Sequence, residues 1–248
     1  MTDVILTCFA CSPASPCQIW ANSYFKDPPI VLNIPGQGGG DFRNKIRAWA
    51  KTGDVFTAAL HELAPMAVAA PNFKLGRRGL VTFSAGWTAA EELLKISSER
   101  DRLDAALILD GIHTKELDPF VQFATRAANM EAFMVMAHSA IIPPFISSTK
   151  TNSKIFLAAE ENNTNAEEYY PMTEEAPPDY ITHAVLESPI TIKSVYGTTT
   201  WKEDPFDGWS NRGNLNCLAY KGDTAETHIY IARHVAERCW KWLGQEWS

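Results

Sequence analysis

The sequence predicts an α/β protein with a mostly parallel, doubly wound sheet and flanking helices. Three observations lead to this prediction. Short apolar runs alternate with longer amphipathic stretches, as in strands buried on both faces and the helices that connect them. Hydrophobic residues make up 46 % and charged residues 21 % of the chain, which is an ordinary globular composition. The length of 248 residues suits one large domain, which we expect to span residues 1–248.

Six short apolar segments are predicted to be strands. They are Val4–Ala10, Ile30–Ile34, Leu80–Phe83, Ala105–Leu109, Lys154–Ala159 and Asn216–Tyr220. Five amphipathic segments are predicted to be helices. They are Asp41–Lys51, Phe56–Leu63, Ala85–Ser97, Pro119–His138 and His228–Leu243. The apolar run Met66–Ala70 lies too close to Leu80 for a parallel crossover of about ten residues or more, so it is either outside the sheet or paired differently.

Residues 161–214 are predicted to leave the sheet and form a lid over one end of the domain. Up to Ile190 this region contains seven acidic residues and neither Lys nor Arg. Four prolines also interrupt it. The alternative is a solvated acidic loop without a role in the site. If the region does cover the site, it disfavours polyanionic substrates by charge repulsion.

Charge and composition exclude several functions. With 22 Lys and Arg against 29 Asp and Glu, the formal net charge is −7, so nucleic acid is not an expected partner. No apolar run approaches the roughly 18–20 residues of a membrane-spanning helix. No positive region precedes Val4–Ala10, so we expect no signal peptide and a cytoplasmic location.

The cysteines are predicted to be free thiols. There are five, an odd number, in a chain too large to need disulfides. Cys8 and Cys11 have the spacing of a zinc or redox pair, but no second close pair accompanies them. We therefore expect no metal site.

The segment Gly79–Trp87 carries the strongest chemical signal. An apolar strand leads into Ser84, small residues follow, and a helix is predicted from Thr88 onward. A Ser at a sharp strand-to-helix turn has its hydroxyl exposed above the sheet edge, beside the N–H groups of the helix N-terminus. The motif is Thr82-x-Ser84-x-Gly86, in which Thr replaces the first Gly of G-x-S-x-G. A Ser that only caps the helix is the alternative.

Backbone amides close to this Ser could bind an oxyanion. The amide of Ala85 directly follows the Ser, and the strand Ile30–Ile34 leads into a Gly-rich loop that contains Gly36 and Gln37. Free N–H groups of such a loop can stabilise negative charge on oxygen. A phosphate cradle is the rival interpretation, but the Lys-Ser/Thr of a P-loop does not follow.

A carboxylate and an imidazole follow two of the later strands. Asp110 directly follows Ala105–Leu109, at the end of a parallel strand where ligand sites lie. His228 follows the last predicted strand and begins the final helix. The chain order Ser84, Asp110, His228 resembles that of the α/β-hydrolase superfamily, and the resemblance extends from about Ile30 to the C-terminus.

The resemblance leaves alternatives for the acid. In that superfamily the acid usually follows a later strand, here Lys154–Ala159, which makes Glu160 and Glu161 rivals of Asp110. Some members carry the acid one strand earlier, where Asp110 fits. The base also has alternatives, which are the other five histidines. They are His61, His113, His138, His183 and His234.

The resemblance implies a serine hydrolase that cleaves a carboxylic ester in a small molecule or attached to a polymer. Ser84 is expected to attack the carbonyl and form an acyl-enzyme, His228 to act as the base, and Asp110 to orient His228. Ala85, with Gly36 or Gln37, is expected to bind the oxyanion. No cofactor or metal is required. Two alternatives remain: an amidase or peptidase with the same triad, and a non-catalytic binding module on the same scaffold.

Overall fold

The computed structural model describes residues 1–9, 15–139, 148–161, 186 and 188–248. The strands in these ranges are β1 (Thr2–Phe9), β2 (Ile30–Asn33), β3 (Leu75–Phe83), β4 (Ala105–Leu109), β5 (Phe133–Ser139), β6 (Ile190–Lys193), β7 (Thr198–Trp201), β8 (Phe206–Arg212) and β9 (Leu215–Tyr220). The α-helices are α1 (Ser15–Tyr24), α2 (Gly39–Ala50), α3 (Val55–Leu63), α4 (Pro65–Val68), α5 (Trp87–Lys95), α6 (Ser97–Arg100), α7 (Asp118–Ala128), α8 (Ser148–Glu161), α9 (Ala225–Tyr230) and α10 (Ala236–Glu246).

Seven of these strands form one sheet in the order β2-β1-β3-β4-β5-β9-β8. All neighbours pair in parallel except β8, which pairs antiparallel with β9 at one edge. The strands β6 and β7 form a separate antiparallel hairpin. The predicted α/β fold with a mostly parallel sheet and flanking helices is confirmed.

Helices cover both faces of the sheet. In β1, Val4, Leu6 and Cys8 belong to one hydrophobic cluster and Ile5 and Phe9 to the other. The first cluster joins the sheet to α2, α3, α5, α7 and α8, and the second joins it to α1 and to the α9–α10 segment. Burial on both faces explains why the strands are continuous apolar runs rather than alternating ones.

The predicted helix Pro119–His138 is wrong in its second half. Helix α7 ends at Ala128, and Met130 turns the chain with a φ of +64°. Strand β5 then follows, with every residue buried. The sequence contains no Gly or Pro between residues 120 and 138, so nothing in the pattern marks the end of the helix.

The predicted strand Lys154–Ala159 is also wrong, because these residues lie within α8. Ile155 and Phe156 are buried in the core between α8 and the sheet. A short apolar run fits a buried strand and the inner face of a helix equally well. The run Met66–Ala70 overlaps α4 and lies outside the sheet, which is one of the two outcomes expected for it.

Much of the predicted lid, residues 162–185 and 187, lies outside the described residues. The remainder of residues 161–214 contains the β6–β7 hairpin and β8. Because β8 belongs to the main sheet, the last part of this region is a strand of the domain itself. Within the ranges that the structure describes, no helix is long and apolar enough to cross a membrane.

Candidate functional site

Ser84 lies at a sharp turn between β3 and α5. Phe83 is still extended, with φ −135° and ψ 138°, and Ser84 then adopts a φ of +53°. A 3₁₀ turn over Ser84–Gly86 leads directly into α5. Positive φ is unfavourable for a residue with a Cβ atom, by about 1 kcal/mol or more. The fold thus holds Ser84 in a strained conformation at the end of a buried strand, which is the turn predicted from the sequence.

Two glycines make this turn possible. A Cβ atom on Gly86 would lie 2.2 Å from the carbonyl oxygen of Cys8, in the neighbouring strand β1. A Cβ atom on Gly111 would lie 2.5 Å from the carbonyl oxygen of Ser84. Both distances are far below van der Waals contact. The turn after β3 is therefore packed tightly between the C-terminal ends of strands β1 and β4. Larger residues in place of Gly86 or Gly111 would displace Ser84.

Asp110 and His228 are in direct contact, although 118 positions separate them in the sequence. The Nδ1 atom of His228 lies 2.6 Å from Oδ2 of Asp110. Asp110 directly follows β4 and adopts a φ of +49°. His228 lies in α9, the helix that follows β9. The parallel order of β3, β4, β5 and β9 brings both segments to the same edge as Ser84.

Ser139 also holds the carboxylate of Asp110. Its backbone N–H donates to Oδ1 over 2.9 Å, and its hydroxyl lies 2.8 Å from Oδ2. The side chain of Asp110 is buried, and burial raises the pKa of a carboxyl group. The hydrogen bonds from His228 and Ser139 outweigh burial, and they bring the pKa of Asp110 below its ordinary value. Asp110 is therefore ionised at neutral pH.

This ionisation fixes the tautomer of a neutral His228. A carboxylate can only accept hydrogen bonds, so Nδ1 of His228 carries the proton that Asp110 receives. The lone pair of Nε2 is then available as a base. The imidazole also packs on the ring of Phe83, with 4.4 Å between centroids, which holds it beside the residue that precedes Ser84. The ring is thus fixed on two sides, by Asp110 and by Phe83.

A cavity of about 420 Å³ brings the three predicted residues together. Its described lining consists of Ser84, Ala85, Trp87, Asp110, His113, Asp223, Ala225 and His228. The described hydrogen bonds include none from Ser84 Oγ to His228. Such bonds are often long in the unliganded state and shorten when a substrate binds. The cavity therefore contains a Ser, an oriented His and an ionised Asp, each on a different sheet connection.

The predicted oxyanion donors are arranged less simply. The N–H of Ala85 lies in the first turn after β3, where amides have no partner within the helix, and Ala85 lines the cavity. Gly36 and Gln37 follow the edge strand β2, which β1 separates from β3, and neither lines the cavity. The N–H of Gln37 already donates to Oδ2 of Asp41 over 2.9 Å. Of the predicted donors, the structure brings only Ala85 to the cavity.

The other candidate acids and bases lie in different surroundings. Glu160 and Glu161 belong to α8 and not to a loop after a strand, so the position that made them rivals of Asp110 does not exist. His138 is fully buried at the end of β5, with its Nδ1 atom 3.3 Å from Nδ2 of Asn152. Burial lowers the pKa of His138 to about 4.

Four further histidines were alternatives for the base. His61 lies in α3, and His234 packs on Tyr230 in the π-helical turn Ile231–Val235 that joins α9 to α10. His183 lies outside the described residues. His113 is the one rival of His228 in the described cavity lining, where its ring lies nearly perpendicular to that of Trp87.

Ser139 is a site residue that was not predicted from the sequence. Its role depends on its position at the end of β5, beside the end of β4. Because β5 was predicted to be part of a helix, the adjacency of Ser139 and Asp110 could not be inferred. A correct strand boundary at Phe133 would have placed Ser139 at the end of a strand, and its contact with Asp110 also depends on the register of β4 against β5.

The described cysteines, Cys8, Cys17, Cys217 and Cys239, are buried thiols and form no disulfide with one another, in line with the prediction. Burial raises the pKa of Cys17 and Cys239 to about 12 and makes both thiols poor nucleophiles. Cys11 lies outside the described residues. Among the residues that the structure describes, no group of three or more His, Cys, Asp or Glu side chains could hold a metal ion.

His138 predicts how stability depends on pH. Its pKa falls from 6.5 to about 4 on folding, so between these values the unfolded chain binds more protons than the folded one. The free energy of unfolding should therefore decrease as pH falls from 6.5 to 4, by about 3 kcal/mol from this residue. Urea denaturation of the wild type and of His138→Gln between pH 7.5 and 4.5 measures this. The variant should show a shallower slope, and equal slopes would contradict the assignment.

Two sequence comparisons provide no further evidence about this site. A scan against protein-family models finds no match, and a search of curated proteins finds no similar sequence. A function for this chain therefore has to be inferred from its own residues and from the arrangement around Ser84, Asp110 and His228.

Proposed function

We propose that this protein is a serine hydrolase that cleaves a carboxylic ester through Ser84, His228 and Asp110. The observation that carries the proposal is the 2.6 Å contact between His228 Nδ1 and Asp110 Oδ2 in the cavity that Ser84 also lines. A buried carboxylate that fixes the tautomer of a His beside a strained Ser is the arrangement that activates a hydroxyl nucleophile.

In the first half of the reaction, Ser84 Oγ attacks the ester carbonyl while Nε2 of His228 accepts the hydroxyl proton. The imidazolium that forms is stabilised by the negative charge of Asp110. The N–H of Ala85 donates to the developing oxyanion; one such donor contributes about 3 kcal/mol to transition-state stabilisation. The bond between the carbonyl carbon and the alcohol oxygen then breaks, and His228 returns the proton to the departing alcohol.

In the second half, a water molecule attacks the acyl-enzyme. His228 accepts one proton from the water, the bond from the acyl carbon to Ser84 Oγ breaks, and the proton returns to Ser84. The products are a carboxylic acid and an alcohol. The imidazole of His228 can act as the base in both halves only in its neutral form, with the Nε2 lone pair free.

The strain at Ser84 also supports a functional role. A cap residue at a helix N-terminus has no need of positive φ, since the usual cap conformation is extended. Ser84 nevertheless adopts a positive φ, and the absence of side chains at Gly86 and Gly111 leaves the space for this conformation. Backbone strain of this kind is concentrated at functional sites. A Ser that served only as a cap would not require it.

A fluorophosphonate probe tests whether Ser84 is a nucleophile. The probe should form a covalent adduct with the wild type at Ser84, identified by peptide mass spectrometry, and should not label Ser84→Ala. The matched control is Ser98→Ala, which removes an exposed hydroxyl from α6 and should be labelled like the wild type. A wild type that stays unlabelled at Ser84 and inert towards 4-nitrophenyl esters would instead support a binding module.

The acid has its own test. Asp110→Asn should lower kcat for 4-nitrophenyl butyrate by as much as about 10⁴, because the amide favours the wrong tautomer of His228. The matched controls Glu160→Gln and Glu161→Gln should retain the wild-type kcat. A nearly silent Asp110→Asn together with a strong effect at either Glu would assign the acid to α8 and contradict the proposal.

A further inference from the structure

The carboxylates in the described lining of the cavity are not balanced by a Lys or Arg there. Its described lining contains two carboxylates, Asp110 and Asp223, and no Lys or Arg. Asp110 is buried and accepts hydrogen bonds from His228 and Ser139, so its negative charge already interacts with groups of the protein. Asp223 is exposed to solvent and stands at the edge of the cavity. Of the two carboxylates in the described lining, Asp223 is therefore the one that a ligand entering the cavity meets first.

The backbone on both sides of Asp223 is constrained. Gly222 has a φ of +111°, and a Cβ atom there would lie 2.4 Å from Oγ1 of Thr227. Thr224, on the other side, caps α9 by accepting the N–H of Thr227 over 3.3 Å. The neighbouring cation Lys221 is directed elsewhere, since its Nζ lies 3.5 Å from Asp207. Asp223 thus lies between a tight turn at Gly222 and the capped start of α9, the helix that carries His228.

Two aromatic rings, those of Trp87 and His113, also line the cavity. Trp87 begins α5 directly after the nucleophile turn, and its ring is nearly perpendicular to that of His113, with 6.5 Å between ring centroids. Both residues line the cavity with Asp223. An indole face attracts cations through its quadrupole, and a carboxylate attracts them through its charge. Anionic groups receive neither attraction and are repelled by Asp223.

We propose that the site selects esters that carry a cationic group, a quaternary ammonium or a protonated amine, and that Asp223 is the residue that determines this specificity. The inference rests on the proposed hydrolase function and names its substrate class. The cation lies between Asp223 and the Trp87–His113 wall while the ester carbonyl reaches Ser84. An Asp before a helix also stabilises that helix, and the test therefore has to measure substrate charge and not only total activity.

Two pairs of esters with the same shape provide this test. In the first pair, 4-nitrophenyl 4-(trimethylammonio)butanoate is compared with 4-nitrophenyl 5,5-dimethylhexanoate, in which carbon replaces the charged nitrogen. In the second, butyrylcholine is compared with 3,3-dimethylbutyl butyrate, which places the charge on the alcohol side. Each kcat/KM is divided by the rate of alkaline hydrolysis of the same ester. We expect the wild type to favour the cationic member of at least one pair by about fivefold or more.

Substitutions of Asp223 should change this ratio. Asp223→Asn should bring the preference close to one, and Asp223→Lys should reverse it. The matched control is Asp101→Asn, which removes the same charge from an exposed position before β4, at the opposite end of that strand from Asp110. This control should keep the wild-type ratio. A preference that is absent in the wild type, or that survives Asp223→Asn, overturns the inference.

Binding to Ser84→Ala separates this inference from the proposed function. Dissociation constants for the anilide analogues of the first ester pair are measured by calorimetry in Ser84→Ala and in the double variant Ser84→Ala/Asp223→Asn. Tighter binding of the cationic anilide that is lost in the double variant supports the role of Asp223 even if the wild type hydrolyses no ester. Hydrolysis of both esters at equal rates, with equal binding of both anilides, leaves the hydrolase proposal in place and contradicts the role of Asp223.

Discussion

The hydrogen bond between Asp110 and His228 is the interaction on which the rest of the site depends. It joins the end of β4 to the helix after β9, two segments that are far apart in the sequence. Leaving Asp110 buried without His228 would be costly, because an unpaired buried charge loses its solvation. Ser139 makes the arrangement tolerable by adding a second set of donors to the carboxylate. The same bond determines which nitrogen of His228 is free to accept a proton.

The backbone is adapted to this interaction at three neighbouring positions. Ser84 and Asp110 both adopt positive φ although neither is Gly. Gly111 lies between them in space, since a Cβ atom on it would meet the carbonyl oxygen of Ser84. Two strained residues at the ends of adjacent parallel strands are thus packed against each other. The buried strands β3 and β4 supply the rigid support that makes such strain sustainable.

Much of the fold could be predicted from the sequence because burial on both faces leaves a clear pattern. The apolar runs that became β1, β2, β4 and β9 were located to within a few residues. Strand β5 was missed because Met130 takes the turn position that Gly usually occupies, and no breaker separates α7 from β5. The run Lys154–Ala159 was assigned to a strand because a helix that packs on a sheet through Ile155 and Phe156 has the same short apolar signature.

Site residues that directly follow a strand could be predicted from the sequence. Site residues that depend on how neighbouring strands pair could not. Ser84, Asp110 and His228 each stand at a position that chain order and strand pattern identify. The role of Ser139 required the register of β4 against β5, which the sequence does not encode locally. Gly36 and Gln37 were assigned as oxyanion donors from the composition of their loop, without the sheet order, in which β1 lies between β2 and β3. Strand order in a parallel sheet is a property of the whole chain, so a Gly-rich loop cannot be assigned to one site from its composition alone.

We infer that Asp110 keeps the proton of a neutral His228 ring on Nδ1 and leaves the Nε2 lone pair free. Nuclear magnetic resonance of ¹⁵N-histidine-labelled protein at neutral pH measures this tautomer directly. We predict that the His228 ring carries its proton on Nδ1, that this proton resonates far downfield of the amide region, and that Asp110→Asn removes the downfield signal. A His228 ring protonated on Nε2, or a spectrum that Asp110→Asn leaves unchanged, would contradict the account.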